Sequence, residues 1–160
     1  MNILRAAAAH LGIELSEAQR ALFQLYCELL LDWNRRVNLT RITDPQEVAI
    51  QHFLDSLTYL LVFPLPAPPR GLRLIDVGSG AGFPGLPLKI VRPELQVTLL
   101  EAVGKKTVFL EHVVAKLHLS DVEVINARAE QLAHDPAHRE RYDVAASRAV
   151  AGLATGILGS

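Results

Sequence analysis

Asp76-Val77-Gly78-Ser79-Gly80-Ala81-Gly82 constrains the fold of this chain more than any other stretch. It follows Leu72-Arg73-Leu74-Ile75, which runs into it as a buried strand, and Pro84 opens a helix just beyond it. Strand, glycine loop and helix in that order form the first unit of a parallel α/β sheet. Alternating glycines permit a tight turn and let a ligand approach the backbone closely. The same alternation continues downstream. Strands are predicted at 96–101, 122–125 and 142–147, and helices at 84–91 and 105–117. Repeated β-α units imply right-handed crossovers with helices on both faces, and ligands bound at the carboxyl ends of the strands.

The first 63 residues read differently, as a helical subdomain. A short helix is predicted over Asn2–Leu11, stopping at Gly12. Ser16 and Gln19 form a capping box for a second helix, whose stripe of Leu22, Phe23, Leu25, Tyr26, Leu29, Leu30 and Trp33 recurs at helical spacing. Residues 35–43 read as irregular. Asp44, Pro45 and Glu47 start a third helix that must end before Pro64. Three short helices bury little alone, so this part is expected to pack on the α/β part, 72–160. A proline-rich connector, 64–71, joins the two.

Composition narrows the function. Half of the 160 residues are hydrophobic, and the formal net charge is −1. This argues for a packed fold and against broad nonspecific nucleic-acid binding, although a local basic surface remains open. No apolar run reaches the roughly 18 residues of a membrane span. The N-terminus lacks a signal-peptide pattern, and the single cysteine, Cys27, excludes an intrachain disulfide. A cytoplasmic location is therefore expected. Cys27 lies among apolar residues and reads as buried packing. His134 and His138 have helical metal-ligand spacing, but Pro136 between them spoils the face, so no metal site is read.

Two ligand classes compete for the loop. Gly80-Ala81-Gly82-Phe83-Pro84-Gly85 satisfies the dinucleotide pattern G-x-G-x-x-G, and Glu101 ends the next strand where either class would use a carboxylate on ribose hydroxyls. Two features favour S-adenosylmethionine. Asp76 places a negative charge beside the loop, suited to an ammonium and unfavourable for pyrophosphate. Pro84 and Pro87 remove N–H groups at the helix start, where a phosphate needs donors.

Several segments then bring a specific resemblance. They are Trp33-Asn34-Arg35-Arg36-Val37-Asn38-Leu39-Thr40, His52-Phe53-Leu54-Asp55-Ser56-Leu57, the loop extended through Gly-Phe-Pro-Gly-Leu-Pro-Leu to Leu88, Gly104-Lys105-Lys106, Ala127-Arg128-Ala129-Glu130 and Ser147-Arg148-Ala149. In order and spacing, from about residue 20 to 151, the chain resembles the rRNA small subunit methyltransferase G family, also called glucose-inhibited division protein B.

The resemblance implies a Rossmann-like class I fold with seven strands, and S-adenosylmethionine-dependent methylation of N7 of a guanine in 16S rRNA. The partner would be that RNA or a small ribosomal subunit particle. Carried over by position, Gly78 and Phe83 line the methionine side of the cofactor, within a cofactor set that also holds Asp76, Gly80 and Gly82. Glu101 holds the ribose, and Ala129 and Glu130 sit by the adenine. Arg148 lies near the methionine end and the incoming base. Arg148, His52 and Asp55 are the candidates for positioning, the last two one helical turn apart and able to face one cleft. Arg35, Arg36, Arg41, Lys105 and Lys106 are candidates for RNA phosphates. Against seven implied strands, four are read. The fourth would be left with an unpartnered edge, and self-association of such a fragment is expected where a full-length member would be a monomer. Two readings stay open beside the leading one. One is a noncatalytic cofactor- or RNA-binding fragment, and the other a methyltransferase acting on a non-RNA substrate.

Overall fold

A computed structural model describes residues 1–63, 71–136, 141–147 and 152–153. The central sheet has the order β3-β2-β1-β4-β5. Strands β1 (Arg73–Val77), β2 (Gln96–Glu101), β3 (Val122–Asn126) and β4 (Val144–Ser147) run parallel. The order reverses after β1, so the carboxyl ends of β1 and β4 flank the switch point where ligands of such sheets bind. The fold is α/β and Rossmann-like, as expected. One expectation is corrected. The far edge of β4 is partnered: β5 (Gly152–Leu153) pairs with it antiparallel, Ala146 opposite Leu153 and Ser147 opposite Gly152.

The N-terminal elements are α1 (Asn2–His10), α2 (Glu17–Trp33) and a wound segment that changes pitch three times. That segment comprises α3 (Pro45–Glu47), a π turn (Val48–Leu54), α4 (Asp55–Leu57) and a 3-10 turn (Thr58–Val62). The capping box at Ser16 is present in both directions, and the Asp44 side chain accepts from Glu47 N–H at 3.1 Å. Of the connector, residues 64–70 lie outside the described residues.

These helices pack directly onto the α/β part. One cluster of buried residues joins Leu4, Phe23, Tyr26 and Phe53 to Leu74, Phe83, Leu86, Leu99 and Phe109. Helices α5 (Gly85–Val91) and α6 (Gly104–Lys116) cover that face of the sheet. Gln19 on α2 donates from its amide to the carbonyls of Ile90 and Val91, which closes the open end of α5. Lys89, also on α5, is buried at 2% exposure and donates to the carbonyls of Pro93 and Leu95. Burial pushes its ammonium below the ordinary lysine value. On the other face, α7 (Ala129–Ala133) accompanies a small cluster of Ile75, Leu100, Tyr142 and Ala145.

Candidate cofactor site

Strand alternation decides which side chains meet at the end of the sheet. Leu74 and Asp76 point toward α5, while Ile75 and Val77 point toward α7. A cavity of about 250 Å³ opens on the α7 side. Its walls are Val77 of β1 and Gly78 just after it, Leu100 of β2 and Ala102 just after that strand, and Ala127, Arg128, Ala129 and Glu130 beyond β3. Small side chains make a flat slot, and Arg128 and Glu130 stand exposed at its rim.

The loop above β1 has almost no donors to offer. Gly78 and Ser79 N–H both donate to Leu100 carbonyl, at 2.8 and 3.1 Å. Gly80 N–H donates to Glu101 Oε1 at 2.8 Å. Gly82 and Phe83 N–H donate to Ser79 carbonyl, Leu86 to Gly82 and Leu88 to Pro84. Gly85 N–H donates to Asp76 Oδ2 at 2.9 Å. From Gly78 to Leu88, only Ala81 keeps an N–H uncommitted among these bonds, since Pro84 and Pro87 have none. A pyrophosphate at this helix start would find its usual donors consumed.

Asp76 therefore has a different place from the one expected. It is fully buried on the α5 side, where it holds the first N–H of the helix, and does not sit beside the cavity. Strand alternation is the cause. Phe83 is also committed elsewhere. Its ring, 5% exposed, stacks on His52 at 4.4 Å and on Tyr26 at 5.6 Å, and meets Phe53 edge-on at 5.9 Å. Tyr26 hydroxyl donates to Ala81 carbonyl at 2.6 Å. The N-terminal helices thus grip the back of the loop. Sequence reading placed Tyr26 only in an apolar stripe and did not see this role.

Glu101 ends β2, buried, one residue before Ala102 of the cavity wall. Oε1 accepts from Gly80 and Oε2 accepts from Val103 N–H, each at 2.8 Å. Each oxygen keeps a second lone pair for a ligand hydroxyl. Gly78 and Gly80 have positive φ angles of 71° and 59°, and open space lies where a Cβ would stand.

His52 and Asp55 differ in burial. His52 is buried and shares a 2.7 Å hydrogen bond between Nε2 and Thr40 Oγ1, whereas Asp55 is exposed. The wider winding of the π turn rotates the two apart relative to an α-helix. Asn34 organises the preceding loop, accepting from Leu39 and Thr40 N–H and donating to Thr40 carbonyl. Arg35, Arg36 and Arg41 on this segment are exposed, as is Lys105, while Lys106 is half-buried. Arg36 lies 3.7 Å from Asp32 and 4.9 Å above the Trp33 ring. Arg148 and His138 lie outside the described residues.

The comparisons with known proteins bear on this geometry. Residues 19–157 match the model of the family described as rRNA small subunit methyltransferase G. The chain belongs to that family. It is 54% identical over 156 residues to the ribosomal RNA small subunit methyltransferase G of Roseiflexus castenholzii, covering 97% of this chain and 64% of that protein. It is 44% identical over 150 residues to that of Desulforamulus reducens, covering 94% of this chain and 61% of the relative. The chain thus spans less than two thirds of the length of these relatives. Among solved structures, it resembles a putative protein-L-isoaspartate O-methyltransferase from Plasmodium falciparum in complex with S-adenosyl-L-homocysteine, with TM-score 0.50 and 16% identity. That match covers 91% of this chain and 71% of the other. This likeness shows the fold, the Rossmann-like fold of class I methyltransferases. Among the described residues, no helix is long and apolar enough to cross a membrane.

Proposed function

We propose that this chain binds S-adenosylmethionine in the slot between β1, β2 and α7, and that a protein of the family's full length uses it to methylate N7 of a guanine in 16S rRNA. One observation carries the choice of ligand: the loop donors are consumed within the protein while an open slot with small walls lies beside them. A phosphate-free nucleoside fits such a site, and a dinucleotide does not. The site's own residues divide the work. Ala102, Ala127 and Ala129 leave a flat space for a purine, and Glu130 at the rim accepts from its amino group. Glu101 receives ribose hydroxyls on its remaining lone pairs. Gly78 leaves room for the methionine portion, with Arg148 as a further contact at that end.

When bound, the cofactor supplies an electrophilic methyl group on a sulfonium. Guanine N7 carries a lone pair and needs no deprotonation, so the reaction asks the protein for positioning and not for a general base. Positioning alone can contribute roughly 7–11 kcal/mol. N7 faces the deep groove of A-form RNA, so the target base must be unpaired or extruded. Arg35, Arg36, Arg41, Lys105 and Lys106 would hold phosphates around it.

Calorimetric titration tests the ligand. S-adenosylmethionine should bind this chain and NAD should not compete. NAD binding of equal strength would overturn the reading. Transfer of a labelled methyl group to 16S rRNA by a family-length form, and its absence with small-molecule or protein acceptors, tests the substrate.

A further inference from the structure

The described arginines fall into two groups. Arg5 and Arg20 pair with Glu17, Arg36 with Asp32, Arg73 with Asp143 and Arg141 with Glu123. Arg35, Arg41, Arg92 and Arg128 have no carboxylate partner among the described residues. Arg128 differs from the other three in its position. It lies two residues past the carboxyl end of β3, it forms part of the cavity wall, and its side chain is exposed. The hydrogen bond that fixes it is made by its backbone, N–H to Gln131 Oε1 at 2.8 Å, which leaves the guanidinium uncommitted.

An exposed arginine without a partner is ordinarily just a solvated charge. Its place on the wall of the slot changes what it can meet. The slot itself is small-walled and apolar around the purine space, and the cofactor proposed for it carries net positive charge and no phosphate. A guanidinium at the rim gains little from such a ligand. It is well suited to a phosphate diester, which it can grip with two parallel N–H donors. Arg128 lines the same cavity of about 250 Å³ as Gly78, so the backbone of an RNA whose base is held at the methionine end passes close to this rim.

We infer that Arg128 is an RNA phosphate contact at the mouth of the nucleoside slot. It fixes the strand beside the cofactor without touching the transferred group, and acts as a positioning residue. This rests on the reading of the slot given above.

The test measures two affinities on the wild-type chain and on Arg128→Ala and Arg128→Lys: one for S-adenosylmethionine by calorimetry, the other for a 16S rRNA transcript across a salt series. Loss of one phosphate contact should flatten the log–log salt dependence of RNA binding by about 0.7 in Arg128→Ala. Arg128→Lys should keep the slope, since it keeps the charge. Cofactor affinity should stay within about twofold in both, and thermal melts should coincide because the side chain is exposed. An unchanged slope in Arg128→Ala, or no RNA binding by the wild-type chain, overturns the inference. So does a tenfold loss of cofactor affinity with the slope intact, which would assign the guanidinium to the nucleoside. If the slope flattens but the wild-type chain binds no S-adenosylmethionine, the RNA contact stands and the cofactor reading fails.

Discussion

The front and back halves of the loop after β1 use glycine for opposite reasons. A Cβ on Gly78 or Gly80 would meet nothing within 4 Å. A Cβ on Gly82 would lie 2.4 Å from Tyr26 hydroxyl and 2.7 Å from Leu86 Cδ1, and one on Gly85 would lie 2.6 Å from Leu99 Cδ2. The front is kept empty on the side where the slot opens. The back is filled by protein, with helix α2 pressed against it. A single run of alternating glycines therefore contains a binding surface and a packing joint, and substitutions should separate them.

The largest effect is expected at the joint. Gly82→Ala adds a methyl group to a filled space, about 1–3 kcal/mol, and forces a side chain onto a φ of 104°, about 1–3 kcal/mol more. Because a typical domain has only about 5–15 kcal/mol of stability, this variant should lose most of its cooperative melt in urea. Gly85→Ala should follow with the overpacking cost alone. A midpoint close to wild type for either would show that Tyr26 or Leu99 can yield, and that the back half is not tight.

Gly78→Arg probes the other half. With nothing within 4 Å and an exposed position, the cost is the left-handed backbone, about 1–2 kcal/mol. The long side chain should nonetheless occupy the slot and reduce S-adenosylmethionine affinity at least about tenfold. Melting and titration on one sample check both halves of the statement. Destabilisation as large as that of Gly82→Ala would erase the distinction, and so would full retention of binding.

The contrast explains what could and could not be read from the sequence. The strand–loop–helix order, the boundaries of β2 and the capping box at Ser16 are local patterns, and each appears as expected. The side of the sheet chosen by Asp76 was misread, although strand alternation carries it. It shares parity with Leu74, a core residue facing α5, and parity alone places it under the helix and away from the slot. The split between Gly78 and Gly82 was not legible. Both are glycines with positive φ, and the difference comes from Tyr26, 55 residues before Ala81, whose hydroxyl reaches the loop only in the folded chain. The clasp of Glu101 on Gly80 is likewise a tertiary fact. The π turn around His52 has no local propensity signal; the capped start at Asp44 and Pro45 gives no sign that the winding will widen.

The smallest expected effect uses Cys27 as a reporter of the joint. It adjoins Tyr26 on α2 and is 2% exposed, and burial raises its thiol from an ordinary 9.0 to about 11. Only about one thiol in a thousand would be ionised at pH 8 in the folded chain, so iodoacetamide should label it about 100-fold more slowly than in urea. The raised value fixes a sign as well. Between pH 9 and about 11 the folded chain holds a proton that the unfolded chain has released, so stability from this group is intact below 9 and declines as pH rises through that window. Gly78→Arg should leave labelling slow, because nothing, Tyr26 included, lies within 4 Å of where its Cβ would stand. Gly82→Ala should accelerate it, because displacing Tyr26 loosens the helix that buries its neighbour. Were Gly82→Ala to melt normally and keep Cys27 silent, the Tyr26 ring would have moved aside without loss, and the back half of the loop would be as accommodating as the front.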